Sequence, residues 1–143
     1  MLALACYQSD VIALERLRYH RLMFLTAALW NWILAVSFLV LPRVDISYFF
    51  LAGSTIPSTL LWFDSFMGLV FVFGIGFYLV SLSPDKNHGI IKMGIFEKSW
   101  VFVIGLYYFL IAEATFLVFL FVSVDLLFGL LFLEDLLSIT RTS

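Results

Sequence analysis

Of 143 residues, 64% are hydrophobic, 19% aromatic and only 13% charged, and the mean hydropathy is +1.10, whereas a soluble domain runs near half apolar and about a quarter charged. Eight basic and ten acidic side chains cannot build a polar shell around so much Phe, Leu and Val, which excludes a water-soluble globule and a disordered chain alike. A net charge of −2 without a basic patch argues against nucleic acid as a partner and leaves the lipid bilayer as the expected solvent.

The first element in chain order is a cytoplasmic amino-terminal segment, residues 1–21. Its opening Met1-Leu2-Ala3-Leu4-Ala5-Cys6 superficially matches the end of a lipoprotein signal. It lacks a charged start and an apolar stretch of about seven residues, so neither cleavage nor lipidation is expected. Across residues 9–21, Val11, Ile12, Leu14 and Leu17 are interleaved with Glu15, Arg16 and Arg18. This pattern fits either a short amphipathic helix on the inner surface or a cytoplasmic extension of the first membrane helix.

A helix needs about 20 apolar residues to cross roughly 30 Å of hydrocarbon. The first span is placed at 22–41, stopped by Pro42, and the second at 58–82, opened by Pro57 and closed by Pro84, positions where a missing N–H does least harm. Residues 99–133 are almost continuously apolar, and as one helix they would reach about 50 Å. Glu113, in Ala112-Glu113-Ala114-Thr115, therefore marks a tight outer turn. The third and fourth spans are placed at 95–112 and 114–133, with Lys98 snorkelling to the interface. Glu134 and Asp135 form an interfacial stop before a cytoplasmic tail, 138–143. Trp62 and Trp100 are expected as interface anchors. The expected fold is all-α, an integral membrane bundle of four transmembrane helices within 22–137.

Orientation follows from basic residues in the short flanks. Arg16, Arg18 and Arg21 precede span one, Lys86, Lys92 and Lys98 lie between spans two and three, and Arg141 is in the tail; the other side has only Arg43. Both termini, and Cys6 with them, are expected on the cytoplasmic side of a cell inner membrane.

Chemistry-bearing motifs are few. A single cysteine removes dithiol redox chemistry within one chain. His20 and His88 lie among charged residues outside the apolar runs, so no pair is placed to ligate haem in the bilayer. No metal-binding, phosphate-binding or dinucleotide-binding pattern occurs, and Gly74-Ile75-Gly76 reads as helix packing rather than a nucleotide loop. No cofactor and no metal are expected, and the balance leans away from an enzyme.

The polar residues inside the spans are the functional candidates, because a central charge costs about 2.5–3.5 kcal/mol on insertion. They are Asn31 between Trp30 and Trp32, Asp64 in Trp62-Phe63-Asp64-Ser65, and Asp125 in Ser123-Val124-Asp125. With no Lys or Arg expected at their depth, the carboxyls should be neutral and donate to neighbouring helices. Three readings stand open: interhelical hydrogen bonds that fix packing, a proton-responsive site lined also by Tyr107 and Tyr108, or contacts with a partner protein. Asp125 with Gly129, and Gly68 with Gly76, share faces expected to point into the bundle or toward another subunit.

Ala27-Ala28-Leu29-Trp30-Asn31, Gly74-Ile75-Gly76-Phe77-Tyr78 followed by Pro84, Gly94 through Lys98, and Val124-Asp125-Leu126-Leu127-Phe128 resemble a family of small uncharacterised bacterial four-helix membrane proteins, distantly DoxX-like. Glu97 stands where that family has a glycine, and Phe77 takes its aromatic slot. The resemblance implies a four-helix architecture and a bacterial inner membrane. Some members carry a peroxide-reductase label, but Cys6 lies outside the matched segments. The expected function is a structural or accessory component of a membrane assembly, as a homo-oligomer or within a larger complex. The alternative is a small proton-coupled transporter or permease using Asp64 and Asp125.

Overall fold

The computed structural model describes the backbone of residues 2–53 and 55–140, and the side chains of 14–53, 55–84 and 86–138. The side chains of Cys6 and of residues 9–13, and the tail with Arg141, lie outside the described residues. The chain is all-α: α1 spans Leu2–Val44, α2 Leu61–Leu82, α3 His88–Leu110 and α4 Phe116–Thr140, with short 3-10 turns at Ile46–Leu51 and Pro84–Lys86. Among the described residues, three segments are long and apolar enough to cross a membrane: Leu14–Val44, Leu61–Leu82 and Phe116–Ser138. The segment α3 is not among them; it carries Lys92, Glu97 and Lys98.

Several sequence boundaries shift. Residues 9–21 are continuous with the first span in the single helix α1. Pro42 does not stop α1, which runs on to Val44, because so near a helix end its missing N–H forfeits a single bond. Pro57 lies outside α2; the helix starts at Leu61, whose N–H donates to Thr59 Oγ1 at 3.3 Å. The predicted turn at Glu113 is present, between α3 and α4. Ala112 takes its left-handed position at φ 60, a role usually filled by glycine. Backbone donation from Glu113 and Ala114 to Tyr108 O, at 3.0 and 3.1 Å, closes the turn. This turn then pairs with the α1–α2 connection: Gly53 bridges Ala114, and Thr115 N donates to Ala52 O at 3.1 Å.

The helices form two tightly apposed hairpins, α1 with α2 and α3 with α4. Buried positions recur at alternating three and four residues: Gly74, Phe77 and Ser81 on α2; Ile91, Gly94 and Lys98 on α3; Val122, Asp125, Gly129 and Phe132 on α4. That spacing is the three–four repeat by which one face of a helix packs against its neighbours. A stack of Phe24, Phe77 and Phe132 joins the hairpins, with ring centroids 4.6 Å apart for Phe24–Phe132 and 4.9 Å for Phe77–Phe132. Outward positions such as Leu29, Ile33, Val36 and Val40 are apolar and exposed, while Asn31, Lys98, Asp125 and Asp135 are buried. Apolar outside and polar inside is the distribution a lipid solvent favours.

Candidate functional site: a buried lysine between the hairpins

Trp30-Asn31-Trp32 on α1 reaches all three other helices. Trp30 Nε1 donates to Asp125 Oδ1 on α4 at 3.2 Å. Asn31 Nδ2 and Trp32 Nε1 donate to the α2 carbonyls of Val70 and Phe71, at 3.1 and 3.3 Å. A helical carbonyl already bonded to the residue four ahead has a second lone pair, so these bonds leave α2 intact. Gly74 makes the approach possible: a Cβ there would lie 2.5 Å from Trp32 Nε1.

The remaining polar atom of this tripeptide meets α3. Lys98 Nζ donates to Asn31 Oδ1 and to Asp125 Oδ1, each at 2.6 Å. Its side chain is 1% exposed, with Nζ 5.6 Å from the Phe77 ring centroid. Close packing brings it there. Gly129 on α4 faces Lys98 Cβ, where an added methyl would lie at 3.2 Å, and Gly94 one turn earlier on α3 accepts the Phe77 ring. Glu97 completes the cluster, its Oε2 3.6 Å from Lys98 Nζ and without a hydrogen bond.

This geometry corrects three expectations. Lys98 does not snorkel to the interface; it is buried, about ten residues and so roughly 15 Å into α3, because two acceptors await it there. Asp125 does have a basic partner at its own depth, Lys98, where none was expected. Asp64 does not join Asp125: it faces Arg43 at the loop end, Nη2 to Oδ2 2.7 Å, in a pair half open to solvent. Of the three sequence candidates, Asn31 and Asp125 meet and Asp64 stands apart. Lys98 and Glu97 were missed as members. The available signal was register, since Lys98 follows Gly94 by four residues and precedes Gly105 by seven, placing it on the small-residue face.

A second polar contact lies near the opposite end of α4. His20 Nδ1 is 2.5 Å from Asp135 Oδ1, and the Asp135 side chain is fully buried. Arg16 Nε donates to His20 Nε2 at 3.4 Å. Asp135 is therefore an internal partner of α1 and not the expected interfacial stop, whereas its neighbour Glu134 is exposed. Tyr108 borders the central site, while Tyr107 is 56% exposed and stays outside it. Of the glycines on shared faces, Gly129 packs and Gly76 approaches Ile90, but Gly68 has no neighbour. Trp62 and Trp100 are both exposed, although Trp100 lies in the body of α3 and not at its end.

Between the four helices, beside Glu97 and Asp125, lies a cavity of about 490 Å³. Phe63, Phe66, Val101, Tyr108 and Val118 also border a second cavity of about 400 Å³ that extends toward Gly53 and Glu113. Among the described residues no cluster of His, Cys, Asp and Glu is arranged to hold a metal ion.

Fold and site together define an all-α chain with three helices long and apolar enough to cross a membrane and a polar clasp in its interior. No protein-family model, no curated protein and no solved structure matches it.

Proposed function

We propose that the chain is a four-span protein of the cell inner membrane, both termini cytoplasmic, serving as a structural or accessory component of a membrane assembly. The observation that carries this reading is the Lys98 clasp. One ammonium satisfies Asn31 and Asp125 across three helices, fixing the relation of the two hairpins with little polar surface left facing outward. The fourth span is α3, whose charges Glu97 and Lys98 are sheltered by α1 and α4 and so need not meet lipid. Arg16, Arg18, Arg21, Lys86 and Lys92 flank one end of the bundle and Arg43 the other, which supports the orientation.

The test is native-state sizing in mild detergent with in-membrane cross-linking. An accessory role expects a discrete assembly larger than the monomer, retained in Asp125→Asn if that variant folds. A monomer throughout, together with a pH-dependent flux that Asp125→Asn abolishes at unchanged protein level, would favour the second reading, a proton-coupled transporter. A specific observation keeps that reading: Asp125 and Glu97 both border the central cavity. Glu97 then takes the place that the sequence assigned to Asp64.

A further inference from the structure

The central cavity lies where the two hairpins meet, and the backbones pack less closely between the hairpins than within them. The helices α1 and α2 run in close contact, as do α3 and α4, whereas α2 and α3 approach one another at few places. The gap is walled by side chains, and two features of the wall bear on what fits. Phe38, Phe63, Phe66, Phe121 and Tyr108 present aromatic surface to it. At its inner end stand two carboxylates, Glu97 and Asp125, with one ammonium, Lys98, between them. Lys98 gives its hydrogen bonds to Asn31 and Asp125, which leaves Glu97 Oε2 buried without a hydrogen-bond donor. One ammonium shared between two carboxylates leaves the cluster short of positive charge, and such an imbalance in a poorly solvated site is costly.

We propose that this cavity is a binding site for an amphipathic organic monocation, its positive centre held by Glu97 and its apolar body by the aromatic wall. The volume, about 490 Å³, falls within the range of small-molecule sites, roughly 300–1,000 Å³. A cation beside Glu97 balances the second carboxylate, and the ring faces add cation–π attraction. A bare inorganic cation is a poor match, since hard cations take about six oxygen ligands and only Glu97, Asp125 and Tyr108 bring side-chain oxygens to the wall. The adjoining cavity toward Gly53 and Glu113 gives an approach from the loop end of the bundle. The site does not depend on which way the chain faces in the membrane, nor on whether it joins a larger assembly.

The test is equilibrium binding of tetraphenylphosphonium to the purified full chain in detergent and, in a separate titration, of tetraphenylborate, an anion of matched shape. Saturable binding of the phosphonium, and none or far weaker binding of the borate, is expected. Glu97→Gln should weaken phosphonium binding at least about tenfold, while Asp64→Asn, at a residue that pairs with Arg43 and is not part of the cavity wall, leaves it unchanged. Val101→Phe keeps every charge and projects a ring into the cavity, and should also weaken binding; if Glu97→Gln fails to fold, Val101→Phe decides the matter. Absence of saturable binding to the wild type overturns the proposal and leaves a proton on Glu97 as the balancing charge. Equal affinity for the borate, or unaltered binding in a folded Glu97→Gln or Val101→Phe chain, overturns it too.

Discussion

His20 on α1 and Asp135 on α4 are in contact, Nδ1 to Oδ1 2.5 Å, with the carboxylate shut off from solvent. The pair closes the bundle at the end away from the α3–α4 turn. Removing His20 leaves the buried Asp135 carboxyl without its partner, at a cost of about 1–3 kcal/mol. His20→Ala should therefore lower the thermal midpoint in detergent markedly. The double variant His20→Leu/Asp135→Leu, which strands nothing, should recover much of the loss. If the single and double variants melt alike, the contact contributes nothing specific.

Lys98 is a harder case because three groups depend on it. Lys98→Met leaves Asp125 Oδ1 with Trp30 alone and Asn31 Oδ1 without its donor. A loss of about 3–5 kcal/mol is expected. Lys98→Met/Asp125→Leu should be less damaged than Lys98→Met, since the orphaned carboxylate goes with the ammonium. Arg43→Ala, which breaks the exposed pair with Asp64, should cost no more than about 1 kcal/mol. Fluorescence-detected gel filtration after heating ranks all three, and an Arg43→Ala loss equal to that of Lys98→Met would contradict the depth assigned to each pair.

Helix packing gives a comparison between two glycines of the same residue type and opposite surroundings. A Cβ at Gly105 would meet Val122 Cγ1 at 2.6 Å and Cγ2 at 2.8 Å, and a β-branched neighbour has few rotamers to move into. Gly105→Ala should destabilise by about 1–3 kcal/mol. Nothing lies within 4 Å of a Cβ at Gly68, where alanine should be neutral or stabilising by up to about 1 kcal/mol through helix propensity. Opposite signs in thermal midpoint are the expected result; the same sign at both sites would mean that α3 and α4 are not packed this closely.

The sequence revealed helices and turns better than it revealed depth. Hydropathy placed all four long segments, and the need for a turn at Glu113 was legible because a single helix would have overrun any bilayer. The ends were not: Pro42 and Pro57 are strong local signals, yet a proline within a turn of a helix end costs little, and α2 starts only at Leu61. The site was half legible. Asn31 and Asp125 stood out as polar residues amid apolar ones, but Lys98 was assigned to a flank because charge count alone cannot separate a basic residue at the interface from one turned inward. Its register with Gly94 and Gly105 carries that distinction. Asp135 was misplaced for the same reason: it shares the three–four spacing of Asp125, Gly129 and Phe132, while Glu134 beside it points out.

Orientation is open to a direct measurement with cysteines placed at opposite ends. The α3–α4 turn carries exposed Glu113 and the α2–α3 connection carries exposed Lys86. In a Cys6→Ser background, Glu113→Cys should react with a membrane-impermeant maleimide in intact cells, and Lys86→Cys only after permeabilisation. The reverse pattern inverts the chain, and labelling of both in intact cells is incompatible with either orientation.

The connection after α1 carries the one pH dependence that the outer segments define. Asp45 caps the 3-10 turn at Ile46–Leu51, its Oδ1 accepting from Ser47 N at 2.9 Å. That backbone hydrogen bond, the larger cause, holds the carboxyl below its ordinary value of 3.8. A lowered value in the folded chain means that the cap is fully in place above the ordinary carboxylate value and is lost as pH falls through the lowered one. Amide exchange at Ser47 should accordingly be steady at neutral pH, once the intrinsic rate is divided out, and lose protection only in strong acid. Asp45→Asn, which keeps an acceptor oxygen, should retain protection without the acid transition, and Asp45→Ala should lack it at every pH. An acid transition that survives in Asp45→Asn would assign the titration to a different group.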